Sequence, residues 1–117
     1  MSVQPFKGSL ERLTLKNNNY RKVIHTNKVQ QLVLMSLQPL EEIGMEVHPH
    51  TSQFLRIEAG SGYVVLNGQV RKLKDGDAVV VPPGTEHNVV AGKQGLKLYT
   101  IYCPPEHPPH TLQRKKT

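Results

Sequence analysis

From residue 29 to residue 102 the chain alternates between short, β-branched apolar runs and turn signals. The runs are VQQLVLMSL (29–37), MEVHPH, QFLRIE, GYVVL, QVRKL, AVVV, HNVVA and LKLYTIY, and AGSG, NG, DG, PPG and GKQG lie among them. Helical periodicity is poor throughout, and SLERLTLKN near the start predicts at most a short turn of helix. Eight or nine short strands at this spacing predict an all-β fold, either an antiparallel sandwich or a small barrel.

One turn signal is specific enough to predict its own geometry. Asn67-Gly68 separates VVL from QVRKL. Both residue types tolerate the positive φ that a two-residue primed turn requires. We therefore expect a tight β-hairpin at this point.

Composition restricts the class of protein. The chain has 117 residues, 37% of them hydrophobic, and no apolar run approaches the ~18 residues of a membrane span. These values predict one soluble domain, and the polar start of the chain does not resemble a secretory signal. Cys103 is the only cysteine, so no internal disulfide can form, and a cytoplasmic location is expected.

The net charge is +6 with a pI near 9.6, which favours contact with anions. No long basic stripe with interleaved aromatic residues accompanies that charge, which argues against nucleic-acid binding. A solvated basic surface with a basic tail explains the excess of Lys and Arg.

A pair of histidines is the first candidate for chemistry. His48 and His50 lie two residues apart, and residues at that spacing in a strand face the same side, as would Glu46. Two imidazoles placed this way can share a metal ion. The chain has six histidines, so such a pair can also arise by chance, and the pair alone leaves both readings open.

A second motif adds weight to the pair. GDAVVVPPGTEH fits the pattern G-x5-P-x-G-x2-H through Gly76, Pro82, Gly84 and His87. The chain here resembles a small single-domain cupin, whose first motif is G-x5-H-x-H-x3,4-E-x6-G and whose second is G-x5-P-x-G-x2-H-x3-N. The resemblance implies a small antiparallel double-stranded β-helix, or jelly-roll barrel.

The first motif departs from the family pattern. Only three residues separate Gly44 from His48, and the family's six-residue spacer before Gly60 places Gln53 where the family has glutamate. By resemblance, His48, His50, Gln53 and His87 are the expected ligands of one divalent transition metal: zinc, nickel, iron or manganese. Glutamine in place of glutamate would leave the site more positive and favour anionic ligands.

The resemblance also implies a domain plan for residues 1–117 as a single cupin domain. An N-terminal arm covers 1–20, the barrel covers 21–103 with motif 1 at 44–60 and motif 2 at 76–91, and a Pro-rich basic tail covers 104–117. His25, His107 and His110 have no spacing partners and are expected at the surface. The flanking prolines leave open that the tail folds over the barrel mouth.

Several functions stay open at this point. The resemblance implies a metal-dependent enzyme acting on a small polar or anionic molecule, of the mannose-6-phosphate isomerase-like type, with Glu46 as the proton-transferring catalytic residue. A metal-dependent dioxygenase, a non-catalytic cupin that binds or senses a small ligand, and an interaction protein with an incidental metal are the alternatives. We expect the ligand in the barrel pocket and a homodimer formed through the sheets.

Overall fold

The computed structural model describes residues 3–116. Within that range the chain forms one helix and seven strands. In chain order they are α1 (Leu10–Lys16), β1 (Arg21–Thr26), β2 (Gln31–Leu37), β3 (Ser52–Leu66), β4 (Gln69–Lys74), β5 (Ala78–Val81), β6 (His87–Cys103) and β7 (Leu112–Gln113). The helix, at seven residues, is longer than the single turn predicted for this segment.

All strand pairs are antiparallel, which confirms the predicted all-β, antiparallel class. The strand order is β4-β3-β6-β2-β1-β7, and β5 pairs with β3. Two strands are much longer than expected, since QFLRIE and GYVVL join in β3, and HNVVA and LKLYTIY join in β6. AGSG and GKQG are therefore bends inside long strands, with shifts of register in the β3–β6 pairing, and not turns between strands.

Gly60 shows why the bend in β3 needs glycine. Its φ is +89°, and a Cβ at this position would lie 2.1 Å from the carbonyl oxygen of Gly95 on β6. No other residue type could bring the two backbones this close. The two long strands can thus bend together and contribute to both sides of the rolled sheet.

The Asn67-Gly68 hairpin is confirmed. Both residues have positive φ, +47° and +82°, as a type I′ turn requires. Leu66 and Gln69 pair on either side of the turn.

Alternation along the strands separates the core from the surface. Gln53, Leu55 and Ile57 are buried, whereas Phe54 and the residues that alternate with it are only partly buried. Strand parity in QFLRIE predicts that Gln53, Leu55 and Ile57 line the interior, and their burial confirms this prediction. The apolar core is built mainly from Val33, Met35, Leu37, Leu55, Ile57, Val64, Val81, Val89, Leu96, Leu98 and Tyr102.

One end of the interior is polar. Gln31 on β2 pairs with Tyr102 on β6, and Tyr102 pairs with Gln53 on β3. Directly opposed residues in an antiparallel sheet project to the same face, so these three side chains form a row. Gln31, Gln53 and Tyr102 are at most 3% exposed, so the row is a buried polar patch next to the apolar core.

The predicted strand MEVHPH does not form. Only Glu46 makes an isolated bridge, and Pro49 and His50 lie in a turn before β3 begins at Ser52. The tail, by contrast, is ordered along the barrel, because Leu112 and Gln113 pair with β1. No helix in residues 3–116 has both the length and the apolar character needed to span a membrane.

Candidate metal centre

The loop before β3 is held against the start of β6. The backbone N–H of Glu46 donates to the carbonyl of His87 over 2.8 Å, and the N–H of His87 donates back to Glu46 over 2.9 Å. The N–H of Gly84, in the PPG turn, donates to the carbonyl of His48 over 2.9 Å. The two sequence motifs are thus joined by backbone hydrogen bonds at one end of the barrel.

Glu46, His48 and His87 form a cluster. One side-chain ligand atom from each lies within 4.8 Å of the other two. His48 is 8% exposed and His87 3%, and their ring centroids are 5.2 Å apart. His48 Nε2 lies 3.7 Å from Glu46 Oε1, beyond hydrogen-bond distance. Three donor groups therefore converge without being bonded to one another.

The hydrogen bond of His87 determines which of its nitrogens is free. Its Nδ1 lies 2.9 Å from the carbonyl oxygen of Thr85, which can only accept, so Nδ1 carries the proton. In the neutral ring Nε2 then bears a lone pair, and this atom is buried without a hydrogen-bond partner in residues 3–116. His48 Nε2 is buried and unpartnered in the same part of the chain. Metal-binding histidines have this arrangement, with one nitrogen held by the protein and the other directed at the ion.

Gln53 supplies a further oxygen. Its Nε2 donates to Thr100 Oγ1 over 3.0 Å, and its Oε1 is buried with no partner among the described residues. The side chain projects from the same face as Tyr102, whose ring meets that of His48 edge-on with centroids 6.0 Å apart. Gln53 therefore lies opposite Tyr102, which contacts His48, and its carbonyl oxygen has no partner in the described chain.

His50 is not brought into the cluster. It is exposed in the turn with Pro49, so the strand parity that placed it beside His48 does not apply. The spacing of the family motif offers a different alignment. Glu46-x-His48-x4-Gln53-x6-Gly60 matches H-x-H-x4-E-x6-G in every interval, with glutamate at the first ligand position and glutamine at the last. A four-residue spacer counted back from Gln53 leads to His48 and indicates this pattern.

That alignment changes the expected charge. The sequence predicts that a neutral glutamine replaces the only carboxylate of the expected ligand set, which would make the site more positive. Glu46, at the other end of the motif, adds one negative charge to the cluster. The donor set of two imidazoles, one carboxylate and one amide oxygen suits a divalent transition metal.

Two residues of the tail border the site. Glu106 Oε2 lies 3.3 Å from His48 Nδ1, and the ring of His107 packs edge-on against Tyr102 with centroids 5.2 Å apart. The surface position predicted for His107 is therefore wrong, and the tail does fold over the barrel mouth. His110 is exposed as predicted, whereas His25 is partly buried and lies 3.1 Å from Asn27 Nδ2.

Burial shifts the pKa values of two side chains at this end of the barrel. Desolvation raises the pKa of Tyr102, so the phenol stays protonated, although the positive charge of Arg21 opposes the shift. Burial, and next the charge of Arg21, lower the pKa of His107 to about 4. His107 is therefore neutral at pH 7, and its Nε2 is buried without a hydrogen-bond partner in the described chain.

Arg21 is a cation that the sequence did not single out. It projects from β1 on the same face as the core residue Met35, and its Nη1 donates to Gln113 Oε1. Its Nε is buried and unpartnered within residues 3–116. An inward-facing arginine with a free donor is what an anionic ligand requires.

The fold is that of a cupin, and the chain belongs to the cupin family. Residues 33–102 match the family described as Cupin domain. The chain is 46% identical over 121 residues to the uncharacterized protein YrkC of Bacillus subtilis, covering 97% of this chain and 64% of YrkC. It is 47% identical over 119 residues to the uncharacterized protein L612 of Acanthamoeba polyphaga mimivirus, covering 97% of this chain and 74% of L612. The chain thus spans less than two thirds of the length of YrkC.

A solved structure matches nearly the whole chain. The crystal structure of BH2720 from Bacillus halodurans superposes with a TM-score of 0.94 at 39% identity, covering 97% of this chain and 91% of that one. The predicted cupin fold, an antiparallel double-stranded β-helix, is thereby confirmed.

Proposed function

We propose that the chain is a metal-binding cupin whose ligands are Glu46, His48, Gln53 and His87. The observation that carries the proposal is a set of three buried atoms that have no hydrogen-bond partner in residues 3–116: His48 Nε2, His87 Nε2 and Gln53 Oε1. Burying a polar atom without a partner costs about 1–3 kcal/mol, and a bound cation would satisfy all three at once. Glu46 completes the set with a carboxylate in the same cluster.

We further propose a metal-dependent enzyme that acts on a small anionic molecule bound in the barrel mouth. Four protein ligands leave coordination positions open, and a metal there would supply Lewis-acid polarisation of a substrate oxygen. Arg21 Nε and His107 Nε2 are polar atoms at this end of the barrel that have no partner among the described residues, and Arg21 supplies positive charge. Glu46 is better placed as a ligand than as the free proton-transfer group expected from the sequence.

The isomerase-like subclass comes from family resemblance. Arg21 offers one group suited to a phosphate or carboxylate, which the sequence alone did not indicate. A dioxygenase would use the same ligand set, and both activities would need the metal. Homodimer formation and a cytoplasmic location stay predictions of the sequence.

Elemental analysis of protein purified without an affinity tag tests the metal site. We expect roughly one transition-metal equivalent per chain in the wild type, and less than about a tenth of that in His87→Ala. His50→Ala is the matched control, because it removes an exposed histidine of the same motif and should retain the metal. Equal metal content in all three proteins would refute the proposed site.

Activity assays then separate the functions. Isotope exchange into a sugar phosphate would support the isomerase, and substrate-dependent oxygen uptake would support the dioxygenase. Saturable binding of small anions by the metal-loaded protein with neither reaction would favour the non-catalytic alternative.

A further inference from the structure

A fully buried glutamine attaches the tail to the barrel. Gln31 is 0% exposed, and its Oε1 accepts from the backbone N–H groups of Glu106, over 3.1 Å, and His107, over 2.9 Å. Its Nε2 donates to the carbonyl of His107 over 2.7 Å and to Thr26 Oγ1 over 3.0 Å. Three of the four hydrogen bonds of this amide therefore go to the backbone of Glu106 and His107.

The attachment has a clear location. Gln31 lies directly opposite Tyr102 in the β2–β6 pairing, and Tyr102 lies opposite Gln53. The tail is thus anchored one strand away from a proposed metal ligand. Surface tails do not require a buried side chain for their anchorage, because water can satisfy their backbone groups.

The anchorage places one carboxylate beside a proposed ligand. Glu106 Oε2 is 3.3 Å from His48 Nδ1, and the backbone N–H of Glu106 is one of the groups that Gln31 holds. An ionised carboxylate only accepts, so it favours the form of His48 with the proton on Nδ1 and the lone pair on Nε2. Nε2 is the atom of that ring that is buried without a partner in the part of the chain that the structure describes.

We propose that Glu106 is a positioning residue for the metal ligand His48, held in place by Gln31. The proposal rests on the metal site proposed above. A carboxylate behind a metal-binding imidazole fixes the ring orientation and raises its basicity, and loss of such a partner typically costs about 10–100-fold in metal affinity. Glu106 then acts on the site from the tail.

Glu106→Gln tests the role most directly, because it keeps the shape of the side chain and removes its charge. The experiment measures Zn²⁺ affinity by chelator competition, the visible spectrum of the Co²⁺-loaded protein, and thermal unfolding of the metal-free protein. We expect about 10–100-fold weaker Zn²⁺ binding and an altered Co²⁺ spectrum, with unfolding of the metal-free form unchanged. Glu106→Asp should recover part of the affinity.

Gln31→Ala provides a second route to the same result. It leaves Glu106 intact but releases the backbone that carries it, so Zn²⁺ affinity should also fall, here with lower stability. His110→Asn is the control, because His110 is exposed in the same tail and asparagine tolerates its positive φ of 67°.

The outcomes separate the two proposals. If Glu106→Gln binds Zn²⁺ as tightly as the wild type while His87→Ala has lost it, the role of Glu106 is refuted and the metal site stands. If His87→Ala also binds as tightly as the wild type, the metal site itself is refuted. Equal losses in Glu106→Gln and His110→Asn would show a general effect of changing the tail and would overturn the specific role.

Discussion

The rings of His48 and His87 lie with their centroids 5.2 Å apart and their planes inclined by 54°. One comes from the loop before β3 and the other begins β6, and the reciprocal backbone hydrogen bonds between Glu46 and His87 bring these segments together. Each ring leaves Nε2 unpartnered in residues 3–116. Backbone hydrogen bonds thus hold the rings of His48 and His87 near each other although the rings do not bond each other. This arrangement is expected where a ligand binds between them.

Glu46→Gln should weaken divalent-metal binding by at least about tenfold, because it removes the only carboxylate of the cluster and ligand charge sets the affinity of such sites. Zn²⁺ titration in competition with a chelator measures the change. Glu86→Gln is the control, since Glu86 is exposed and adjacent to His87. A loss of Zn²⁺ affinity in Glu86→Gln without a loss in Glu46→Gln would contradict a ligand role for Glu46.

A second substitution tests the alignment of the motif. Gln53→Glu in the Glu46→Gln background moves the carboxylate from the first ligand position to the last, where the family pattern has it. We expect the double variant to recover most of the Zn²⁺ affinity lost in the single variant, because the net charge of the donor set is restored. No recovery would indicate that Gln53 Oε1 does not face the metal.

The neutral, half-buried state of His107 predicts a pH dependence of stability in the metal-free protein. Its pKa falls from the ordinary 6.5 to about 4, first through burial and then through Arg21. Between those pH values the unfolded chain binds a proton at this residue and the folded chain does not, so the free energy of unfolding should fall as pH falls from 6.5 to 4. Urea unfolding with a chelator present measures it, and His107→Gln should show a shallower decline. Identical slopes would contradict the shift.

Two glycines of similar backbone conformation allow the cost of backbone strain to be measured separately from the cost of steric contact. Gly60 has φ +89° and Gly76 has φ +91°, but only at Gly60 would a Cβ meet a neighbour, the Gly95 oxygen at 2.1 Å. Gly76→Ala should cost about 1 kcal/mol from the backbone alone, and Gly60→Ala about 1–3 kcal/mol more. Urea unfolding of both variants tests this, and equal costs would mean that β3 and β6 can separate at the bend.

Much of the fold could be predicted because its signals are local. Alternation predicted the buried face of β3, and the positive φ of Asn67 and Gly68 follows from the two residue types. The joining of short runs into β3 and β6 was missed because Gly60 reads as a turn signal in sequence. Its role as a bend depends on the approach of Gly95 from another strand, which is not local.

The site was predictable in part for the same reason. His87 and Gln53 follow from motif spacing, whereas the choice between His50 and Glu46 depended on whether the segment around Pro49 is a strand or a turn. Glu106, His107 and Arg21 could not be predicted, because they reach the site through the tail anchored by Gln31 and through the position of β1. Neither the anchoring of the tail nor the position of β1 produces a spacing pattern in the sequence.

Arg21 provides the last test, that of the ligand class. Malonate is a suitable probe anion for the Zn²⁺-loaded protein, and malonamide is its neutral counterpart of similar shape. Arg21→Gln should weaken malonate binding by about tenfold or more, since a hydrogen bond to a charged group contributes about 1.5–3 kcal/mol, and should leave malonamide binding unchanged. Arg71→Gln is the control, because Arg71 is exposed on β4 and donates to Gln69 of its own strand. Unchanged malonate affinity in Arg21→Gln, measured by calorimetry, would remove Arg21 from the site, whereas weakening of both probes would point to a packing role for the arginine.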